Sequence, residues 1–323
     1  MTLPVHVSHE AAPRARGEAF GRRHAERVRN TVEIYRRLCD LSAGGRVRAS
    51  DDEHEEIAGI AAGAGVGVRE LLAVNARTEL LASADECSVI GAGATLAQNW
   101  DWHPSFQEST LVWIVHEDGR WFATVTEAGM LAKIGINDAG LGVCLNLLTT
   151  SADGGLEGVP VHLLLRRVLA SRTVDEAIAL LTGARVSASS AVTVATPGDV
   201  ATVELSPGGA NVLRGAIGAH TNHFLEPPRA GRDTGREESD STERRLEIIR
   251  ELPLLEALRS HEGHPKGVCR HVDMAEPWEE RTATLASVIM DLGARRLRVA
   301  AGQPCTTPHV EIELPASRSS VSV

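Results

Sequence analysis

Apolar positions in the first quarter of the chain recur at helical spacing; beyond it they come in short bursts of strand length. Residues up to about 83 read as helical. The stretch 18–41 has helix-forming composition and stops at Gly44-Gly45. Ser50, three residues before Glu53, forms the pattern of a capping box that opens the next helix. After glycines at 63–67, Leu71, Leu72, Val74, Leu80 and Leu81 mark one face of a helix over 68–81. From residue 84 the period changes. Segments 88–90 and 95–98 flank Gly91-Ala92-Gly93, 111–116 and 121–127 flank Asp118-Gly119, and 131–136 and 141–147 flank Asn137-Asp138-Ala139-Gly140. Each pair reads as a hairpin. Helices return over 160–170 and 175–181, the second opened by Thr173 with Glu176 three residues on. Strands follow at 191–195, 201–205 and 212–213, then a polar loop over 227–236, a helix over 242–259, and strands at 284–291, 296–300 and 310–313.

Hairpins in place of strand–helix–strand alternation imply antiparallel sheets with helices packed outside them. The fold class expected is α+β, a four-layer αββα sandwich with mostly antiparallel sheets. Its 323 residues suffice for a large core. The net charge of −10 is spread along the chain and argues against nucleic-acid binding, which needs a clustered basic surface. Apolar runs are too short to span a membrane and the first residues lack a signal-peptide layout. Five widely spaced cysteines without a Cys-x-x-Cys pair fit neither a disulfide framework nor a zinc ribbon, and point to the reducing cytoplasm. Cys39, Cys269 and Cys305 have no motif around them, and Cys144 sits in an apolar run.

Cys87 stands apart. It precedes a strand-like run and lies shortly before Gln98-Asn99-Trp100-Asp101-Trp102. A cysteine nucleophile needs a base or a lowered thiol pKa, and no papain-type signature surrounds this one. Considered singly, Asn99 is a turn former, and Trp100 and Trp102 are packing residues. His220 and His223 form a His-x-x-His pair without acidic support, a weak metal signal. Asn222 between them offers a side-chain amide suited to holding an oxyanion.

Taken in order, Cys87, Gln98-Asn99-Trp100-Asp101, Thr126-Glu127-Ala128-Gly129, Lys133-Ile134-Gly135, Asn137, Gly140-Leu141-Gly142-Val143 and His220-Thr221-Asn222-His223 resemble a known family. It is the isopenicillin-N / acyl-CoA:6-aminopenicillanate acyltransferase family, autoproteolytic cysteine N-terminal-nucleophile (Ntn) hydrolases that include β-alanyl-amine hydrolases. The resemblance runs from about residue 18 to 304. It implies an αββα fold and self-cleavage between Glu86 and Cys87, giving a helical α segment, 1–86, and a catalytic β segment, 87–323, within one composite domain. It implies Cys87 as nucleophile, its freed amine as base, Asp101 as the group ordering that amine, and Asn222 as an oxyanion contact. Ser190 matches a polar site position; Arg281 or Thr284 completes the site, with Asn99, Trp100, Trp102 and His220 in support. Where the family often has glycine before the cysteine and threonine after it, this chain has Glu86 and Ser88.

The expected partner is a small amide or acyl donor: an N-acyl amine, a β-lactam-like compound or a β-alanyl amide. The two fragments stay associated, and homo-oligomer formation is left open. Neither metal nor redox cofactor is required. Amide hydrolysis is preferred over acyl transfer because no carrier-binding motif is evident. Two alternatives stay open: a non-catalytic small-molecule binder of the same fold, and an unprocessed cysteine hydrolase using a histidine base.

Overall fold

The computed structural model describes residues 2–81, 87–215 and 217–315. Its first element is a strand, β1 (Val5–Ser8), followed by α1 (Pro13–Arg23), α2 (Ala25–Leu38), α3 (Asp51–Ala64), α4 (Val68–Asn75) and α5 (Arg77–Leu80). The central part comprises β2 (Ser88–Ala92), β3 (Thr95–Trp102), β4 (Thr110–Glu117), β5 (Arg120–Glu127), β6 (Ile134–Asn137) and β7 (Gly142–Leu147). Then come α6 (Val161–Val168), α7 (Val174–Thr182), β8 (Ser190–Thr196), β9 (Asp199–Ser206), β10 (Gly209–Arg214) and β11 (Ile217–His220). Helices α8 (Thr234–Glu238), α9 (Thr242–Glu251) and α10 (Leu254–Arg259) precede β12 (Ala283–Asp291), β13 (Arg296–Ala300) and β14 (Val310–Ile312).

The strands form two sheets, one ordered β1-β4-β5-β6-β7-β8-β9-β10 and the other β11-β2-β3-β12-β13-β14. All named pairings are antiparallel except β1 with β4. The sheets face each other, and one side chain shows how closely. The β6–β7 ladder ends at Gly135↔Val143, leaving the edge of β7 open. Gln98, from β3 in the opposite sheet, fills it. Its amide donates to the Leu145 carbonyl at 2.6 Å and accepts from the Leu145 N–H at 3.0 Å. Side chains alternate along a strand, so Asn99 turns the other way and donates to the carbonyls of Leu258 and Val268, both at 2.8 Å.

Helices cover the outer faces, as the αββα expectation requires. Ile248, Ile249 and Leu258 pack on Ile90, Ala97 and Ile289 of the six-stranded sheet. Outside the eight-stranded sheet, Asn137 donates to the carbonyls of Leu169 and Ser171 after α6, and Phe20 of α1 lies 4.3 Å, ring to ring, from Trp113 of β4. Helices α1 and α3 meet backbone to backbone through Gly17, Gly21, Gly59 and Gly63. A Cβ at Gly17 would lie 2.0 Å from the Glu56 carbonyl oxygen.

Both predicted N-caps are present: Ser50 and Glu53 form a reciprocal capping box, and Thr173 accepts from the Glu176 N–H. Three helices divide where one continuous helix was expected. The 18–41 segment breaks at His24, 68–81 at Ala76, and 242–259 at Pro253, which has no N–H and cannot continue a helix. The N-terminal helical reading missed β1, and the polar loop 227–236 runs into the short helix α8. Strand β6 begins only at Ile134 and β7 at Gly142, shorter than the expected 131–136 and 141–147, whereas the strands of the first two hairpins are longer than their periodicity predicts. In particular β3 continues through Asn99–Trp102, placing the Asn-Trp-Asp run inside the sheet.

Candidate active site

Cys87 enters β2 between the two sheets and is 3% exposed. Its backbone is gripped at both ends. The N–H donates to Asn222 Oδ1 at 2.9 Å. The carbonyl oxygen accepts from Asn146 Nδ2 and from Arg245 Nη1, each at 2.9 Å. These three holders come from the turn after β11, from β7 and from α9. Arg245 also reaches Ser88 Oγ and Asn222 Oδ1, both at 3.0 Å, and Ser241 Oγ at 3.3 Å. One N–H of the Asn222 amide donates to the Leu147 carbonyl at 2.9 Å, and its oxygen faces Cys87. In this arrangement the amide oxygen is an acceptor for the Cys87 nitrogen.

The thiol lies 3.8 Å from the Asp101 carbonyl oxygen. Burial pushes its pKa up; the Lys133 ammonium opposes that, and the Asp101 carboxylate adds to it. Lys133 is itself buried, its ammonium 4.7 Å from the Trp100 ring centre and 6.0 Å from that of Trp102. The Arg77 guanidinium stands 3.7 Å from the Trp102 ring centre and 3.6 Å from Glu127. Trp102 Nε1 donates to Tyr35 Oη at 3.1 Å, and Tyr35 donates to Glu127 at 2.6 Å. The indoles are therefore a floor under two buried cations.

Asp101 is fixed by Thr284, whose hydroxyl donates to Oδ1 at 2.6 Å. Thr284 in turn exchanges two bonds with the Arg270 backbone: its N–H donates to the Arg270 carbonyl at 3.1 Å, and its Oγ1 accepts from the Arg270 N–H at 2.9 Å.

A model of the acyl-coenzyme A:6-aminopenicillanic acid acyl-transferase family matches residues 90–306, beginning three residues after Cys87. The chain belongs to this family. The 40 kDa form of acyl-coenzyme A:6-aminopenicillanic-acid-acyltransferase from Emericella nidulans is 27% identical over 332 residues, covering 93% of this chain and 91% of that one. Among solved structures, penicillin V acylase from Agrobacterium tumefaciens aligns with a TM-score of 0.48 and 16% identity, over 71% of this chain and 86% of that one. A variant of conjugated bile acid hydrolase from Clostridium perfringens aligns with a TM-score of 0.48 and 13% identity, over 70% and 92%. Family membership makes this chain an enzyme of the acyltransferase or amide-hydrolase kind.

The other residues expected from the family motifs divide. Thr284 and Asn222 join Cys87 and Asp101 in one constellation. Asn99 faces away and ties the α10 region to the sheet. Ser190 is buried, but its register partner is Leu147, next to the inward-facing Asn146, so it lies on the other face of its strand. Arg281 donates to the carbonyls of Glu276 and Met274 in its own loop. His220 pairs with Glu204 at 3.0 Å and with the Thr221 carbonyl, while His223 contacts Thr242 Oγ1 at 2.9 Å, so the two rings do not converge on a metal. Glu86 lies outside the described residues.

Sequence reading missed Arg245 and Asn146, and both carry a usable signal. Arg245 sits with Thr242, Leu246 and Ile249 on the buried stripe of α9, where a charge needs a partner. Asn146 interrupts an apolar β7. A cavity of about 210 Å³ is lined by Thr78, Glu79, Leu148, Asp153 and Ala188 among others. A larger cleft of about 540 Å³ at Leu3, Arg27 and Asn30 is lined by none of the candidate catalytic residues.

Proposed function

We propose that this enzyme is an autoprocessing cysteine Ntn amidohydrolase that releases an acyl group from a small amide. The supporting observation is the grip on Cys87. Three buried side chains from separate elements hold its N–H and C=O. An ordinary strand residue has no need of that; a nucleophile that becomes a chain terminus does.

In maturation, the Cys87 thiol attacks the Glu86 carbonyl carbon. The Glu86–Cys87 acyl group moves from nitrogen to sulfur, and water hydrolyses the thioester to give a free carboxylate and a free Cys87 amine. In turnover, that amine accepts the thiol proton while Asn222 Oδ1 keeps it oriented. The thiolate attacks the substrate carbonyl, the C–N bond breaks, and the ammonium returns its proton to the leaving amine. Water then cleaves the acyl-thioester to a carboxylic acid. Asp101, braced by Thr284, and Lys133 set the charge balance around the sulfur. The fragments 1–86 and 87–323 form the α and β segments of one working unit, whose five free cysteines suit a reducing cytoplasm.

The alternative with a histidine base loses support, because the His220 and His223 rings are engaged with Glu204 and Thr242. Intact-mass measurement decides the matter. Wild-type protein should resolve into pieces of 86 and 237 residues, and Cys87→Ala should stay whole. A wild-type chain that stays uncut yet hydrolyses N-acyl amines or β-alanyl amides would sink the free-amine mechanism.

A further inference from the structure

Beside Arg270, whose backbone bonds Thr284, four side chains come together, three from the segment 261–271 and one from position 305. They are His261, Cys269, His271 and Cys305, and one donor atom from each lies within 4.8 Å of all the others. The His271 Nε2 stands 3.2 Å from His261 Nε2, 3.3 Å from Cys305 Sγ and 3.8 Å from Cys269 Sγ. One ring nitrogen carries either one proton or one lone pair and cannot serve three hydrogen-bond partners at once. Three heavy-atom donors gathered around it are the edges of a coordination polyhedron. For tetrahedral zinc with the usual bond lengths, the edges are about 3.3 Å between nitrogens, about 3.6 Å between nitrogen and sulfur, and about 3.8 Å between sulfurs. The observed separations scatter around those values.

We propose that this cluster is a structural Cys2His2 zinc site. Zinc displaces one proton from each thiol to solvent, and the two thiolates neutralise the cation, which suits a site that is partly buried. With four protein ligands it has no open position for catalysis. The surrounding chain is built as a scaffold for it. The loop carrying three ligands is closed by bonds from Cys269 N to Ser260 O at 2.9 Å, His264 N to His261 O at 2.8 Å and Lys266 N to Gly263 O at 3.0 Å. Cys305 follows β13 and is held in a turn where Thr307 N donates to Gln303 O at 2.9 Å. The metal therefore joins two connections that the sheet leaves separate. It also has a position relative to the active site. Cys269 and His271 flank Arg270, whose backbone brackets Thr284, and Thr284 orients Asp101. The zinc acts as a buttress behind the Asp101 wall.

The test uses full-length protein purified without a metal-affinity tag from zinc-supplemented medium, analysed by elemental mass spectrometry. About one equivalent of zinc per chain is expected, falling below about a tenth in Cys305→Ser and in His261→Ala. His261 is exposed, so its truncation leaves the fold intact by circular dichroism and separates metal loss from misfolding. Dialysis against cobalt should give the thiolate charge-transfer and visible ligand-field bands of a tetrahedral S2N2 site. Chelated protein should expose Cys269 and Cys305 to alkylation. The absence of both zinc and a cobalt spectrum in the wild type overturns the proposal. So does a Cys269–Cys305 disulfide in the purified protein, or full zinc retention in both variants.

Discussion

Arg245 Nη1 lies 2.9 Å from the carbonyl oxygen of Cys87, and the same guanidinium bonds Ser88 Oγ and Asn222 Oδ1. A buried arginine thus fixes the exit of the Cys87 backbone while steadying the residue that fixes its entry. The fork geometry matters, because three acceptors in different directions need planar, divergent donors.

Arg245→Lys keeps the charge and loses the fork, so it should cut slowly and turn over at least about tenfold less, equivalent to ~1.4 kcal/mol. Arg245→Ala leaves buried acceptors unpaired and should destabilise the fold by about 3–5 kcal/mol. The readouts are the fraction of chain cut over time and urea unfolding. Equal cutting by wild type and the lysine variant would remove Arg245 from the mechanism.

Thr284→Val deletes the 2.6 Å bond to Asp101 and should lower kcat/KM by about tenfold, on the ~1.5–3 kcal/mol scale of a charge-assisted bond, with Thr284→Ser restoring most of it. An unchanged rate in the valine variant would show that Asp101 needs no brace.

Burial holds His24, His223 and His309 down at about 4, with neighbouring positive groups adding to the effect. Below pH 6.5 the unfolded chain takes up these protons before the folded one does. Stability present above 6.5 is therefore lost as the pH falls towards 4, at up to about 1.4 kcal/mol per pH unit for each ring. Glu79 opposes this. Burial raises its pKa to about 7, so its contribution weakens the fold as the pH climbs from 4.5 to 7. Thermal unfolding across pH 4–8 should show a net acid-labile limb, and Glu79→Gln should steepen it. A flat or inverted limb would contradict the histidine assignments, and an unchanged slope in Glu79→Gln would contradict that of Glu79.

The helical segment upstream of Cys87 should remain bound after cutting. Across the proposed cut, buried Arg16 pairs with Glu117 at 2.9 Å, Arg167 pairs with Glu53 at 2.7 Å, and Tyr35 bonds Glu127. Both pieces should co-elute on gel filtration and separate only in denaturant. Gly17→Val, which drives a side chain into the Glu56 backbone, should destabilise the fold by about 1–3 kcal/mol or more, read as a lower unfolding midpoint. Fragments that part in plain buffer would refute this.

Much of the layering was legible because hairpin turns such as Asp118-Gly119 and caps such as Ser50/Glu53 are written in adjacent residues. Cys87, Asp101 and Asn222 were legible as motifs. Their partners were not, since Arg245 and Asn146 are chosen by where the second sheet and α9 fall, 158 and 59 residues from Cys87. β1 escaped notice because four residues paired to a distant strand leave little periodicity of their own. The His261–Cys305 cluster escaped for a related reason: its ligands follow no fixed spacing, and only the fold brings the second thiol back to the first.

The strand β1 has one more consequence. It completes the eight-stranded sheet by lying parallel to β4, and it sits upstream of the proposed cut while β4 sits downstream. A severed molecule therefore carries a sheet whose edge belongs to another polypeptide. Uncut chains refold by a first-order reaction, whereas cut chains must find each other, so recovery after unfolding becomes dependent on protein concentration. An enzyme cut as proposed relies for its lifetime on the slowness of its unfolding.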